Sequence, residues 1–437
     1  VRTLVLFEDD RAARFEPVAL TRSVAGLRSG LWTHRERWAR LLPDRALALV
    51  CRGVLADCEK ASGDWSSVNP ERVEGDVLFV AAALGRPDGA TLAAIRDLPL
   101  GAGLVAEGEL VGVRAEGGAA ARIAGELREI AGPEPFPAAS FADWARLLEE
   151  SKVRPRDARE TRIPATLVDL MAGAADAIRA DFDEIARGGP APDPAAFPGA
   201  HFLAPARIRL GEAVRIDPGV VLDAREGPIA LGDRTRVMAN TVIQGPVCAG
   251  PDCLFKPLTR AMDGVCLGPV CRVGGEIDAT IVQGFSNKQH DGFLGHSYLG
   301  SWVNLGAATD TSDLKNDYGF VRVMIAGEEV DTGSRHVGSL VGDHSKTAIH
   351  TQLNTGTVVG VSANVFGTGF PPKEIPSFTW GGGSEMREYR LDKAVQVATI
   401  VTARRDVVFG AHGEALFAAL HRATAERRAA LFGAAKL

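Results

Sequence analysis

Aliphatic side chains recur every six residues through the middle of the chain, from about Leu210 to Val365. The series reads Leu210, Ile216, Leu222, then Leu231, Val237, Ile243, Ala249, Phe255. It resumes at Leu267, Val273, Ala279, Phe285, then Phe293, Leu299, Leu305, and later at Val341, Thr347, Leu353, Val359, Val365. A helix repeats every ~3.6 residues and a strand every second one, so neither produces this spacing. A coil with three flat faces does, with one short strand per face and roughly 18 residues per turn. The pattern predicts a parallel β-helix from about 200 to 370. The residue at each corner fills the interior, and a small or apolar residue four places on (Val214, Thr235, Thr241, Val247, Ile277) points inward as well.

The flanks follow other periods. Thr3–Phe7, Ala46–Cys51 and Asp76–Ala81 are short apolar runs that predict strands, and Gly103–Val113 alternates about Gly108 as a hairpin. Helices are expected over Ser29–Leu42, Phe141–Ser151 and Ala165–Arg187. The run Gly188-Gly-Pro-Ala-Pro-Asp-Pro194, with Pro198, reads as a stiff linker. The expected organisation is an α/β domain over 1–155, a helical linker over 156–199, the β-helix over 200–380 and a helical tail over 381–437. Two breaks interrupt the six-residue count. One is a slip between Phe285 and Phe293; the other is an excursion from Ala308 to about Val337 that carries Thr311–Gly319. Polar loops on a rigid stack are where sites are commonly built.

A chain of 437 residues needs more than one core, and 46% hydrophobic with 24% charged residues is a globular balance. The net charge of −6 and the lack of a basic stripe argue against a nucleic-acid partner. No run of 18 apolar residues occurs and the first residues lack a signal-peptide shape, so the expectation is a cytoplasmic protein with no membrane partner. Cys248, Cys253, Cys266 and Cys271 form C-x4-C-x12-C-x4-C, a zinc-like spacing. The coil register opposes that reading. Cys253 and Cys271 fall on inward positions and Cys248 and Cys266 on outward ones, so the four lie on two sides of a β-wall. Buried thiols without metal are expected.

The densest chemistry lies in Asn287–Gly306, which holds His290, His296, Lys288, Tyr298 and Asn304. His296 falls three places after Phe293, at an outward turn; Tyr298 and Asn304 fall just before corners and also face outward. A neutral histidine accepts a proton near cell pH. An amine attacking a thioester must lose one. No serine or cysteine elbow is evident, so direct transfer is simpler than a covalent intermediate.

The runs Gly295-His-Ser-Tyr-Leu-Gly300, Val303-Asn-Leu-Gly-Ala307 and Lys315-Asn-Asp-Tyr318 resemble the acetyltransferase half of the bifunctional bacterial enzyme that makes UDP-N-acetylglucosamine. Asn287–Gly300 and Ser312–Asn316 resemble a variant family of bifunctional sugar nucleotidyltransferases more closely still. The resemblance implies a left-handed β-helix and a homotrimer with its site between neighbouring protomers. It implies His296 as catalytic base, with Tyr298 and Asn304 on the sugar phosphate and Lys288 and His290 as further substrate contacts. It places Ala307, Asn316 and Tyr318 on acetyl-CoA, although Asp317 is inserted within the usual Asn-Tyr pair. The expected chemistry is acetylation of an amino-sugar 1-phosphate such as glucosamine 1-phosphate, then uridylyl transfer in the N-terminal domain using UTP and Mg²⁺.

That domain has no glycine-rich phosphate loop. Leu4–Arg11 holds no glycine, and Asp9, Asp10, Arg14, Arg22 and Arg28 surround Pro17–Thr21 instead. Arginines can hold a triphosphate and an aspartate a magnesium ion. The alternatives are an acyltransferase with a degenerate N-terminal domain, or a scaffold that binds sugar nucleotides without turnover. A zinc-dependent β-helix hydratase of the carbonic anhydrase type is disfavoured, because His290 and His296, six apart, lie on adjacent faces rather than stacked.

Overall fold

The computed structural model describes residues 2–136, 144–158, 161–187, 189–382 and 385–434. Its N-terminal part is built on a seven-stranded sheet. The order is Ser67–Val68, Ala46–Val50, Arg2–Phe7, Asp76–Ala81, Glu109–Ala115, Ala102–Ala106, Arg154–Asp157. The first four strands are parallel, and the Ala102–Ala106/Glu109–Ala115 hairpin joins antiparallel. Leu4–Phe7, Ala48–Val50 and Val77–Ala81 are buried throughout, which is why these strands read as continuous apolar runs.

The helix expected from Ser29 begins at His34. Arg28–Ser29 and Trp32–Thr33 first form a small ribbon turned at Gly30 (φ +81°), and Thr33 with Glu36 then caps the helix reciprocally. Helices Gly53–Ala61, Gly89–Arg96 and Gly117–Ala131 were not foreseen. Of the expected Phe141–Ser151 helix, Trp144–Glu150 is helical and 141–143 lie outside the described residues, as does Gly188 of the linker.

The middle of the chain winds into a triangular prism of parallel ladders. One ladder runs Leu210, Leu231, Ala249, Leu267, Val282, Leu299, Val341, Val359, Ile375. A second runs Leu222, Ile243, Ala261, Ile277, Leu294, and a third Ile216, Val237, Phe255, Val273, Lys288. The apolar members form one interior core. Corners are turned by left-handed residues that keep the period of six, as at Arg234, Asn240, Asp252, Leu258 and Val270.

The six-residue count fails in several places, and the shortening after Leu267 has consequences for the site. The coils after Leu267 and Val273 are three residues short, since Leu267 pairs with Val282 and Val273 with Lys288. Ala279 and Phe285, expected inside, are turn residues with positive φ, and the neighbour of Phe293, Leu294, is the interior residue. The same shift carries Lys288 into the prism.

The last rungs of the prism lie within the expected span of 200–380. Glu374–Ile375 continues a ladder, and Thr379–Gly382 pairs antiparallel with Glu385–Glu388, a segment expected to be helical; Gly383 is outside the described residues. The tail is helical from Leu391.

One face, the face of Cys248, Cys266, Ile281, Tyr298 and Leu340, packs against the N-terminal part and shares its core. Cys253 and Cys271 lie inside the prism, so the four thiols stand on two sides of the wall.

Candidate active site

His296 sits on the corner between strands Phe293–Gly295 and Tyr298–Ser301, with φ +42°. Its amide donates to the Asp278 carbonyl (3.0 Å) on the coil before, and its carbonyl accepts from Gly338 N (2.8 Å) on the coil after. Its ring Nδ1 lies 2.7 Å from Asp313 Oδ2. The histidine side chain is 30% exposed and the carboxylate 15%. Gly295 makes this pair possible. A Cβ there would lie 2.3 Å from the Phe293 ring and 2.7 Å from Asp313 Oδ2.

Burial raises the Asp313 carboxyl, but the bond to His296 and the charges of His296 and His336 outweigh it and hold the group below its ordinary range. Asp313 thus stays anionic, and it can orient the imidazole and stabilise its protonated form. The Nε2 nitrogen is the one left to meet a substrate. His336 stands beside this pair, its ring centroid 5.0 Å from that of His296. Asp278 flanks it from below.

Asp313, His336 and Asp278 had no role assigned from sequence. Asp313 was visible within Ser312–Asn316, but only the fold shows that it stacks on His296. His336 lies past an excursion that breaks the count. That excursion is an antiparallel hairpin, Arg322–Ile325 with Glu328–Asp331, whose Val321, Val323 and Ile325 pack on the N-terminal part.

The other expected site residues scatter. Lys288 is a correction: it is 2% exposed, and its ammonium donates to the carbonyls of Gly274, His290, Asp291 and Gly292. Burial pushes its pKa down to about 8. The shortened coil turned it inward, so it is no phosphate ligand. Tyr298 is a second correction. It faces out of the prism, as expected, yet it is fully buried under the N-terminal part. Its hydroxyl donates to the Arg28 carbonyl (2.9 Å) and accepts from Arg28 N (3.0 Å). It holds two parts of the chain together and cannot reach a sugar phosphate.

Asn304 is exposed on the third face, the face that does not meet the His296 corner, and its Oδ1 accepts from Asn287 Nδ2 (3.3 Å). His290 is exposed, and Ala307 is half-buried with its carbonyl accepting from His350 N (2.8 Å). Asn316 and Tyr318 are exposed on the loop after Asp313.

In the N-terminal part, Arg22 bonds to Asp343 and to Ser301 (3.3 Å) across the same interface as Tyr298, and Arg28 is 7% exposed within it. Neither is free for a triphosphate. Both oxygens of Asp9 are engaged by the Arg11 guanidinium. Asp9 therefore does not fit a magnesium ligand. Asp10 is half-buried, its carboxyl raised by burial and by Asp9 and Glu109, and Arg14 is exposed. At the strand ends Glu8 and Arg52 form a buried ion pair (3.1 Å).

Residues 4–189 match the family model described as sugar nucleotidyl transferase. The chain is also similar to bifunctional GlmU proteins. It is 30% identical over 171 residues to bifunctional protein GlmU of Alkalilimnicola ehrlichii, covering 36% of this chain and 34% of that protein. It is 26% identical over 117 residues to the bifunctional sugar-1-phosphate nucleotidylyltransferase/acetyltransferase of Sulfurisphaera tokodaii, covering 27% of this chain and 28% of the relative. The chain thus spans about a third of the length of these curated relatives. A solved N-acyltransferase, AntD of Bacillus cereus, is 13% identical with a TM-score of 0.24, covering 46% of this chain and 91% of AntD. No helix among the described residues is long and apolar enough to cross a membrane.

Proposed function

We propose that the chain is a cytoplasmic transferase of sugar-nucleotide biosynthesis, with acetyl transfer at the His296 corner. The observation that carries this is the His296–Asp313 pair, held at 2.7 Å on a part-exposed corner of a rigid stack. In the reaction, the amine of an amino-sugar 1-phosphate attacks the thioester carbonyl of acetyl-CoA, and His296 takes the amine proton. The C–S bond then breaks and the imidazolium returns a proton to the departing thiolate. Glucosamine 1-phosphate is the simplest substrate.

A homotrimer completes this reading. Asn304, His290 and Ala307 do not gather at His296 within one protomer, and they serve a neighbour's corner where prisms pack side by side. Asn316 and Tyr318, exposed beside Asp313, contact the coenzyme. Nucleotidyl transfer to the acetylated sugar phosphate, with release of pyrophosphate from UTP, falls to the N-terminal domain. The match of residues 4–189 supports that step, and Asp10 and Arg14 are the expected nucleotide contacts that remain available. The engagement of Asp9, Arg22 and Arg28 in internal contacts favours a second reading, an acyltransferase whose N-terminal domain is structural.

A substrate panel tests both. Amino-sugar 1-phosphates with acetyl-CoA are expected to release free thiol, and nucleoside triphosphates with the acetylated product to release pyrophosphate. Thiol without pyrophosphate selects the second reading. No thiol from any amino-sugar phosphate rejects acetyl transfer.

A further inference from the structure

The excursion returns to the prism at the corner that carries His296, one coil further along. Gly338 N bonds to the His296 carbonyl, and His336 is two residues before it. Two imidazoles are thereby brought together on successive coils, those of His296 and His336, with ring centroids 5.0 Å apart. Asp313 is the third member. One ligand atom from each of His296, Asp313 and His336 lies within 4.8 Å of the other two. Ligands placed tetrahedrally about zinc at ~2.1 Å stand about 3.4 Å apart. Small rotations of two imidazoles on a rigid scaffold close that gap. Two imidazoles and one carboxylate suit borderline divalent ions such as zinc or cobalt better than magnesium or calcium.

A separate observation points to a missing positive charge. Asp278 lies on the coil before His296, and its Oδ1 is buried without a hydrogen-bond partner. A buried oxygen of this kind, beside a second carboxylate, is costly unless a cation or donor answers it. A divalent ion at the three ligands would answer both.

We propose that His296, Asp313 and His336 form a divalent transition-metal site, backed by Asp278, and that its occupation silences His296 as a base. Three protein ligands leave an open position for water. The silencing rests on the acyl-transfer reading given above; the metal site does not.

The test uses the full chain, stripped with chelator and dialysed, and titrated with Co²⁺. One equivalent of cobalt is expected to give visible d–d absorption that Zn²⁺ abolishes. His336→Ala, at an exposed residue, should weaken cobalt binding ten-fold or more, while His350→Ala, at another exposed histidine, should not change it. No cobalt absorption, or binding indifferent to His336→Ala, overturns the site. In a parallel assay zinc should suppress thiol release by the unaltered chain, chelator should restore it, and His336→Ala should need at least ten-fold more zinc. Cobalt binding without this suppression overturns the silencing alone. Absence of thiol release even with chelator counts against acyl transfer and leaves the cobalt titration to decide the site.

Discussion

His296 and Tyr298 stand two residues apart and both point out of the prism, yet their surroundings are opposite. His296 occupies a corner that remains part-exposed, and its ring is oriented by one carboxylate. Tyr298 lies on a face covered by the N-terminal part, and its hydroxyl is spent on the Arg28 backbone. Outward phase in a β-helix says only which side of the wall a residue takes. Whether it meets solvent, substrate or another domain depends on what packs on that face. The covered face uses polar side chains as fasteners, including Arg22 to Asp343 and Gln283 to Gly26. The free corner uses the same kinds of groups to orient an imidazole.

The contrast can be broken from either side. The largest expected effect is on the free corner. Asp313→Asn keeps the shape but removes the charge that orients and stabilises the imidazole, and should lower the thiol-release rate by on the order of 100-fold or more. An unchanged rate would detach Asp313 from the chemistry. Within the N-terminal part, Glu8→Ala removes the ionic partner of Arg52, a guanidinium 1% exposed that keeps only backbone carbonyls, and should cost about 3–5 kcal/mol in urea unfolding. A loss under ~1 kcal/mol would mean that water reaches Arg52 after all.

Tyr298→Phe separates the two regions most sharply. It leaves the Arg28 carbonyl without the hydroxyl that donates to it, so stability should fall by about 1–3 kcal/mol while KM for the sugar phosphate stays put. A raised KM at unchanged stability would return Tyr298 to the substrate site.

The smallest effect concerns the shortened coil. Lys288 in the folded chain titrates at about 8, below its ordinary 10.5. Between those values the unfolded chain holds the extra proton, so stability should rise with pH across this window. Lys346, also lowered by burial to about 8, adds a like contribution. Lys288→Met should therefore flatten the rise without abolishing it; an identical slope in the variant would place the Lys288 ammonium in water.

The repeat was legible because an interior corner must be filled on every face of every coil, and aliphatic side chains fill it. The period located Leu231, Val237, Ile243 and Leu299 correctly, and with them the two-sided placement of the four cysteines. It failed between Leu267 and Leu294, where coils lose three residues: Ala279 and Phe285 fit the count of six, while Val282 and Lys288 take the interior places. Lys288 was misread for that reason alone. His296 was legible as an outward turn residue because Phe293 erred by a single place. Asp313 and His336 were illegible as partners, since stacking across coils of unequal length has no signature in local spacing. Tyr298 was misread for a different reason. Nothing along the β-helix sequence says that a separate domain will cover one of its faces.

The central claim is tested most directly by His296→Ala in the purified protein, assayed for thiol release from acetyl-CoA with an amino-sugar 1-phosphate, alongside its oligomeric state. Loss of thiol release by on the order of 100-fold or more, with unchanged assembly and unfolding midpoint, is the expected result. Thiol release at the unaltered rate in the variant would contradict the assignment of the base.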